Sequence, residues 1–231
     1  MAEKVRTFVE GLDGRMEGGI PPTKLVLVSG PAGSLKTSLI FNILYHNSRD
    51  GRKAMFLTLE QGRESLYKHM SKMGIDVDDK DPHLSVLDLA FLRKELTNAG
   101  GDETDWLEFI QNIVVGAVKN QGVEIIGIDS LNAIYAVSEM PNPRKTIFMF
   151  FEKMRELGAT TFFTSEAHEE NELAFYGVEE FLADGIIQMS MERTGRSISR
   201  FIRVVKLREV NHSTDYFPLI IEKGKMHIVT R

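Results

Sequence analysis

Residues 24–38, KLVLVSGPAGSLKTS, give the strongest indication of the fold class of this chain. Residues 24–29 are mostly apolar and have the length typical of a short buried strand, which ends at Gly30. An amphipathic helix is predicted to follow over residues 36–48. A glycine-containing turn between a buried strand and a helix is the setting of a phosphate-binding loop, because backbone N–H groups and the helix N-terminus can face an anion there.

This turn satisfies the phosphate-loop rule G-x-x-x-x-G-K-[ST] at all of its fixed positions except one. Gly30, Lys36 and Thr37 are in place, whereas Leu35 stands where the rule has glycine. The lysine of such a loop reaches the β/γ oxygens of a nucleotide, and the threonine hydroxyl holds Mg²⁺. A side chain at position 35 either crowds the phosphates or points away from them. The alternative to a phosphate loop is an ordinary glycine-containing turn that caps a helix. The predicted ATP-binding residues of the loop are Gly30, Pro31, Ala32, Gly33, Ser34, Leu35, Lys36, Thr37 and Ser38.

Acidic residues follow two further apolar runs. Asp129 ends the run over residues 123–128 in the Walker B form, which predicts that it holds Mg²⁺ through water and accepts a hydrogen bond from Thr37. Glu60 ends the run over residues 54–59 and is the candidate general base that orients the attacking water. The alternatives are a capping aspartate at a strand end and a solvated loop carboxylate.

A third run, residues 160–164, ends in Ser165 and Glu166. A polar residue at this place can sense the γ-phosphate by hydrogen bonding, and either of these two side chains could do so. Plain loop residues are an equally good interpretation of the pair.

The order of the predicted elements indicates an α/β fold. Strands alternate with helices in the first part, which favours a mostly parallel twisted sheet flanked by helices, and strands follow strands in the last part, which favours antiparallel strands added at the C-terminal edge. Ligands of such sheets bind at the carboxyl ends of the parallel strands, where the motifs lie. The remaining predicted elements are a weak strand at 85–89, helices at 106–120 and 144–157, and strands at 185–191, 200–207, 217–221 and 226–229.

Length and composition are those of a globular protein. The 231 residues suit a single domain over 1–231, with 28 basic and 33 acidic residues and a net charge of −5. The chain has no cysteine, which excludes disulfides, cysteine-ligated zinc and a thiol nucleophile. No apolar run approaches the roughly 18–20 residues that a membrane span needs. We therefore expect a soluble, cytoplasmic protein.

Three further segments carry a resemblance to a known family. They are Gly11–Asp13 with Gly18–Pro21, then GVEEFLADGII at 177–187, and Lys206-Leu207-Arg208 followed by His212. Together with the phosphate loop, they resemble the KaiC-like branch of the RecA superfamily of P-loop ATPases over nearly the whole chain.

The resemblance implies a RecA-like P-loop NTPase core, binding of ATP and Mg²⁺, and a homo-oligomeric, hexameric ring with sites between subunits. It also implies that Lys206 and Arg208, which are two residues apart on one face of a predicted strand, reach the phosphates of a neighbouring subunit in trans. His212 is expected near the sugar or base. A solvated strand face is the alternative for the two cations.

The chain departs from the family pattern at Leu35 and at Gln61, which stands where the family often has a second acid after Glu60. Slow hydrolysis that regulates or drives an unknown protein partner is the leading prediction, and a nucleotide sensor with little turnover is the first alternative. A DNA-associated ATPase is disfavoured, because the segment at 166–172 carries four glutamates that would repel a phosphate backbone.

Overall fold

A computed structural model describes residues 3–98, 105–167, 173–222 and 224–230. Within these ranges, nine strands form one sheet. The strands are β1 Leu25–Gly30, β2 Ala54–Thr58, β3 Leu84–Asp88, β4 Ile125–Asp129, β5 Thr160–Glu166, β6 Gly185–Thr194, β7 Ser197–Leu207, β8 Phe217–Glu222 and β9 Lys225–Ile228. The α-helices are α1 Lys36–Arg49, α2 Arg63–Lys72, α3 Leu89–Asn98, α4 Trp106–Gln121, α5 Leu131–Val137, α6 Pro143–Glu156 and α7 Glu179–Leu182, and a 3-10 helix covers Asp13–Met16.

The strand order is β3-β2-β4-β5-β1-β6-β7-β8-β9. The first six strands in this order are parallel, and β7, β8 and β9 continue the sheet in antiparallel pairs. This arrangement confirms the predicted fold class. The first of the late strands, β6, joins the parallel set beside β1. We call the side where the parallel strands end the carboxyl edge of the sheet, and the side where they begin the amino edge.

Both faces of the sheet are covered, which explains the continuous apolar runs of the central strands. Every residue of β1, β2 and β4 is buried. On one face α1 packs closely enough that a Cβ on Gly127 would lie 2.6 Å from Ile40 Cγ2, so only glycine permits this contact. On the other face Phe151 of α6 stacks on Phe163 of β5, with ring centroids 5.0 Å apart.

All the predicted strands and the three predicted helices are present, with ends shifted by up to three residues. The short helices α2, α3, α5 and α7 lie outside the predicted elements. Helix α2 buries only Leu66 and Met70, which is too narrow an apolar stripe to reveal a helix by periodicity. Among the described helices, none combines the length and the apolar character needed to cross a membrane.

Candidate nucleotide-binding site

The topology brings the predicted site residues together at the carboxyl edge. Gly30 is level with Glu166 on β5, and Thr58 is level with Asp129 on β4. The loop after β1, the acid after β2 and the ends of β4 and β5 therefore lie side by side. In a parallel sheet, this is where ligands bind.

The loop after β1 holds its lysine in place. Lys36 Nζ donates to the carbonyl oxygens of Gly30, at 2.8 Å, and Pro31, at 3.0 Å. Burial lowers the pKa of Lys36, and the carboxylates of Glu166, Asp129 and Glu60 oppose that shift. Two neutral carbonyl acceptors thus keep the ammonium inside the turn. An anionic phosphate can take their place, because its charge-assisted hydrogen bond to the ammonium is stronger.

Gly30 allows β6 to approach the loop. Its φ is 153°, and a Cβ there would lie 2.2 Å from the carbonyl oxygen of Met189. A substitution at Gly30 would therefore push the start of the loop away from the sheet.

Asp129 and Thr37 form the pair expected of a Mg²⁺ site. Thr37 Oγ1 donates to Asp129 Oδ2 at 2.9 Å, and Thr164 Oγ1 donates to Asp129 Oδ1 at 2.6 Å. Burial raises the pKa of Asp129, and the hydroxyl groups of Thr164 and Thr37 counteract this rise. A hydroxyl and a carboxylate oxygen are hard ligands of the kind that Mg²⁺ prefers, so the donor set fits that ion.

Glu60 lies beside this pair in an orientation fixed by a neighbour. Ser130 Oγ donates to Glu60 Oε1, and Leu59 N donates to the carbonyl oxygen of Asp129 at 2.7 Å. Glu60 itself is exposed. The amide of Gln61 points elsewhere and donates to Ser65 Oγ at 2.8 Å. Glu60 is therefore the acid that the loop after β2 presents at the site.

Three buried serine hydroxyls near the loop make no hydrogen bond within the described part of the chain. They belong to Ser29, Ser34 and Ser165. Buried polar groups without a partner are rare in proteins and call for an explanation, of which a bound polar ligand is one. The adjoining Glu166 uses its backbone N–H to bind Asn132 Oδ1 at 2.9 Å.

Leu35 has a left-handed backbone, with φ 79° and ψ 25°, which is why the motif has glycine at this position. Its side chain is half-buried, packs against the apolar core and lines a cavity together with Ile198 and Ile220. The leucine side chain is therefore accommodated between the apolar core and this cavity.

We expect Leu35→Gly to leave stability nearly unchanged and to give no large gain in turnover. Relief of the left-handed backbone, worth about 1 kcal/mol, offsets the lost packing of a half-buried leucine, worth about 1 kcal/mol. Leu35→Ala is the control, since it loses the packing but keeps the backbone strain, and urea denaturation should place it about 1 kcal/mol below Leu35→Gly. A glycine variant that turns over ATP much faster than the parent would show instead that the leucine crowds the phosphates.

Lys206, Arg208 and His212 do not join this cluster. Lys206 pairs with Ile186, and Arg208 lies in the turn just after β7, where its N–H donates to the carbonyl oxygen of Asp184 at 2.9 Å. Asp184 N in turn donates to the carbonyl oxygen of Leu25, at the start of β1, at 2.7 Å.

The two cations therefore lie at the amino edge, at the opposite end of β1 from the phosphate loop. The prediction that they share a strand face needs one correction, because β7 ends at Leu207 and Arg208 belongs to the following turn. Burial, with a smaller effect of the Arg208 charge, lowers the pKa of Lys206. His212 lies in the loop between β7 and β8, with Nδ1 3.2 Å from the carbonyl oxygen of Ser213.

Four residues of the site lie outside the sequence prediction: Thr164, Ser130, Asn132 and Arg200. The first two are polar neighbours of Ser165 and Asp129 in the sequence, so their adjacency was an available signal. Arg200 Nε donates to the carbonyl oxygen of Gly33 at 3.1 Å from the distant strand β7, which no local pattern indicates.

Comparison with known proteins adds independent evidence. A family model described as the KaiC ATPase matches residues 5–231. The circadian clock protein KaiC3 of Synechocystis sp. is 30% identical over 96% of this chain and 45% of its own length. The circadian clock oscillator protein KaiC of Acaryochloris marina is 30% identical over 97% of this chain and 44% of its own. The chain thus spans less than half the length of these relatives.

A solved structure shares the whole fold. The crystal structure of a KaiC-like protein from the hyperthermophilic archaeon Pyrococcus horikoshii has a TM-score of 0.85 and 24% identity, with 100% of both chains covered. The family match, the sheet order and the P-loop geometry agree, and the chain belongs to the KaiC family of RecA-like P-loop ATPases.

Proposed function

We propose that this protein is a Mg²⁺-dependent ATPase with slow turnover. The observation that carries the proposal is the convergence of Lys36, the Thr37–Asp129 pair and Glu60 at one edge of the sheet. A phosphoryl-transfer site needs a group that binds the phosphates, ligands that position Mg²⁺ and a base that takes up a proton, and each has a candidate there.

Each residue has a role that its position supports. Lys36 exchanges its loop carbonyls for the β/γ oxygens of ATP, and Thr37 and Asp129 would hold Mg²⁺. The ion, when bound, neutralises charge that develops on the phosphate oxygens. Glu60, oriented by the hydroxyl of Ser130, accepts a proton from the attacking water.

We also propose that the active unit is a ring of identical chains in which Lys206 and Arg208 serve the nucleotide of a neighbour. Five residue steps along β1 separate Leu25 from Gly30, which is roughly 16 Å at about 3.3 Å per residue. This separation is longer than an arginine side chain, so the cations cannot reach their own chain's loop from where they lie. The amino edge of a second copy can supply its two cations to this chain's phosphate loop in trans, as the family resemblance implies.

A nucleotide sensor with little turnover is the second candidate. It is favoured by Gln61, which leaves Glu60 without a second acid beside it and turns toward Ser65. In either case the nucleotide state of the ring would regulate or drive a protein partner, and the named clock relatives are consistent with such a role. The acidic segment that disfavours DNA falls mostly on residues 168–172, outside the described residues.

Replacement of Lys36 by alanine tests nucleotide binding. We expect Lys36→Ala to weaken Mg-ATP binding by about 2–4 kcal/mol, because a phosphate oxygen loses a charge-assisted contact inside a partly buried loop. Isothermal titration calorimetry measures the difference, with the exposed Lys68→Ala on α2 as a control that should bind like the parent. Failure of the parent protein to bind ATP at millimolar concentration would contradict both candidate functions.

A further inference from the structure

The segment that precedes β6 holds both amino-edge cations. Lys206 Nζ donates to the carbonyl oxygens of Glu180, at 3.0 Å, and Ala183, at 2.7 Å. Arg208 Nη1 donates to Asp184 Oδ1 at 2.8 Å. Residues 179–184 are therefore a mount for the two side chains, and we call them the mount segment.

The side chain of Asp184 is buried and is held by several hydrogen bonds, unlike the carboxylate of a typical surface ion pair. Its side chain is 9% exposed, and its Oδ2 accepts the Leu25 N–H at 3.1 Å while Oδ1 accepts from Arg208. Arg155 Nη2 lies 3.6 Å from Oδ1 as well. The backbone of Asp184 bonds Leu25 on one side and Arg208 on the other, at 2.7 and 2.9 Å. The carboxylate is thus tied to the start of the central strand β1.

The other end of the mount segment is also tied to the core. Glu179 is fully buried, and its carboxylate accepts from Tyr135 Oη at 3.0 Å and from Val178 N at 3.0 Å. Burial, reinforced by the Glu179 carboxylate, raises the pKa of Tyr135, so the phenol stays a donor. The segment is therefore tied to helix α5 through Glu179 at one end and to strand β1 through Asp184 at the other.

Among the described residues, Asp184 holds Arg208 at one guanidinium nitrogen. The side chain of Arg208 is 50% exposed, and within the described chain its side-chain hydrogen bond is made by Nη1 to Asp184. An arginine loses much rotamer freedom when it contacts a ligand, and a carboxylate that fixes it beforehand removes part of this cost. Preorganised donors aimed at developing charge are the usual source of large catalytic effects.

We propose that Asp184 is a positioning residue that aims Arg208 at the phosphates of a neighbouring copy. This inference rests on the proposed trans function. Asp184 acts through Arg208 and need not touch the nucleotide, so its loss lowers turnover while ATP affinity stays the same.

The test mixes two inactive chains. The finger donor carries Lys36→Ala and keeps Lys206 and Arg208, and the loop donor carries Lys206→Ala with Arg208→Ala and keeps the phosphate loop. Activity reappears in mixed rings at interfaces that join an intact loop to intact cations. Asp184→Asn is then added to one chain at a time, because asparagine keeps the size but removes the charge. We expect a loss of rescued turnover of about 10- to 100-fold when it is placed on the finger donor, and none when it is placed on the loop donor.

This asymmetry separates positioning from structural damage. Full rescue with Asp184→Asn on the loop donor shows that the variant folds and assembles. Glu209→Gln on the finger donor is the matched control, since Glu209 neighbours Arg208 in sequence but pairs with Lys24 at 2.7 Å, and it should leave rescue unchanged. The KM for ATP should stay constant throughout.

Three results would overturn the proposal. Equal losses on both chains would make Asp184 a structural residue, and no loss on either would make it irrelevant to turnover. If the pair without Asp184→Asn shows no rescue while native mass spectrometry detects mixed rings, then the trans function itself fails, and the role of Asp184 fails with it.

Discussion

Simultaneous replacement of Lys206 and Arg208 by alanine should lower ATP turnover by about 10³–10⁵, the range by which a cation supplied in trans accelerates phosphoryl transfer. ATP affinity should change far less, because the binding contacts come from the phosphate loop at the other edge of the sheet. Steady-state turnover and calorimetry on the same preparation measure the two effects separately.

The exposed pair Arg144→Ala with Lys145→Ala on α6 is the control for loss of two positive charges. It should keep the parent turnover. If the double variant at 206 and 208 also keeps the parent turnover, then Lys206 and Arg208 are solvated surface residues that only stabilise the mount segment.

The same proposal predicts that activity per subunit rises with protein concentration until assembly is complete. ATP should also promote assembly, because a ligand that binds across an interface stabilises the associated state by mass action. Sedimentation with and without ATP checks this expectation. A monomer with full activity at every concentration would contradict it.

Glu60→Gln should lower turnover by about 10²–10⁴ while ATP remains bound, because the amide keeps the shape of the side chain and the contact with Ser130 but cannot take up a proton. Single-turnover hydrolysis is the measurement, since it removes product release from the observed rate. Glu64→Gln, at an exposed position four residues farther along the chain, is the matched control and should leave the rate unchanged.

The outcome also decides between the two candidate functions. Hydrolysis by the parent that depends on Glu60 supports the ATPase. A parent protein that binds Mg-ATP but shows no measurable turnover, alone or assembled, would favour the sensor. A variant that hydrolyses ATP as fast as the parent would show that Glu60 is not the base.

The sequence was a good guide wherever the signal was local. The central strands could be predicted because both sheet faces are covered, so β1, β2 and β4 appear as continuous apolar runs. The helices α1, α4 and α6 have 14 to 16 residues, long enough for their period to show. The short helices α2 and α5 bury only a few side chains each and gave no comparable signal.

The carboxyl-edge site was also predictable, because its parts follow strands. A phosphate loop is a contiguous motif, and parallel strands all end at the same edge of the sheet, so Asp129 and Glu60 could be expected at the same edge as Lys36 without knowledge of the strand order. The left-handed conformation of Leu35 shows the reason for the motif's glycine, but the cavity that its side chain lines is completed by β7 and β8, more than 160 positions away along the chain.

The fold class, the phosphate loop and the acids beside it could thus be predicted from local patterns in the sequence. The location of Lys206 and Arg208 at the amino edge could not be predicted in this way, because it depends on β6 entering the sheet parallel to β1 and on β7 returning antiparallel. The position of Asp184 beside the start of β1 is likewise a tertiary feature, because its Oδ2 accepts from Leu25 N across 159 positions of the chain. Hydrogen bonds between such distant residues follow from strand order, and strand order is set by the packing of the whole sheet, which no local pattern of residues records.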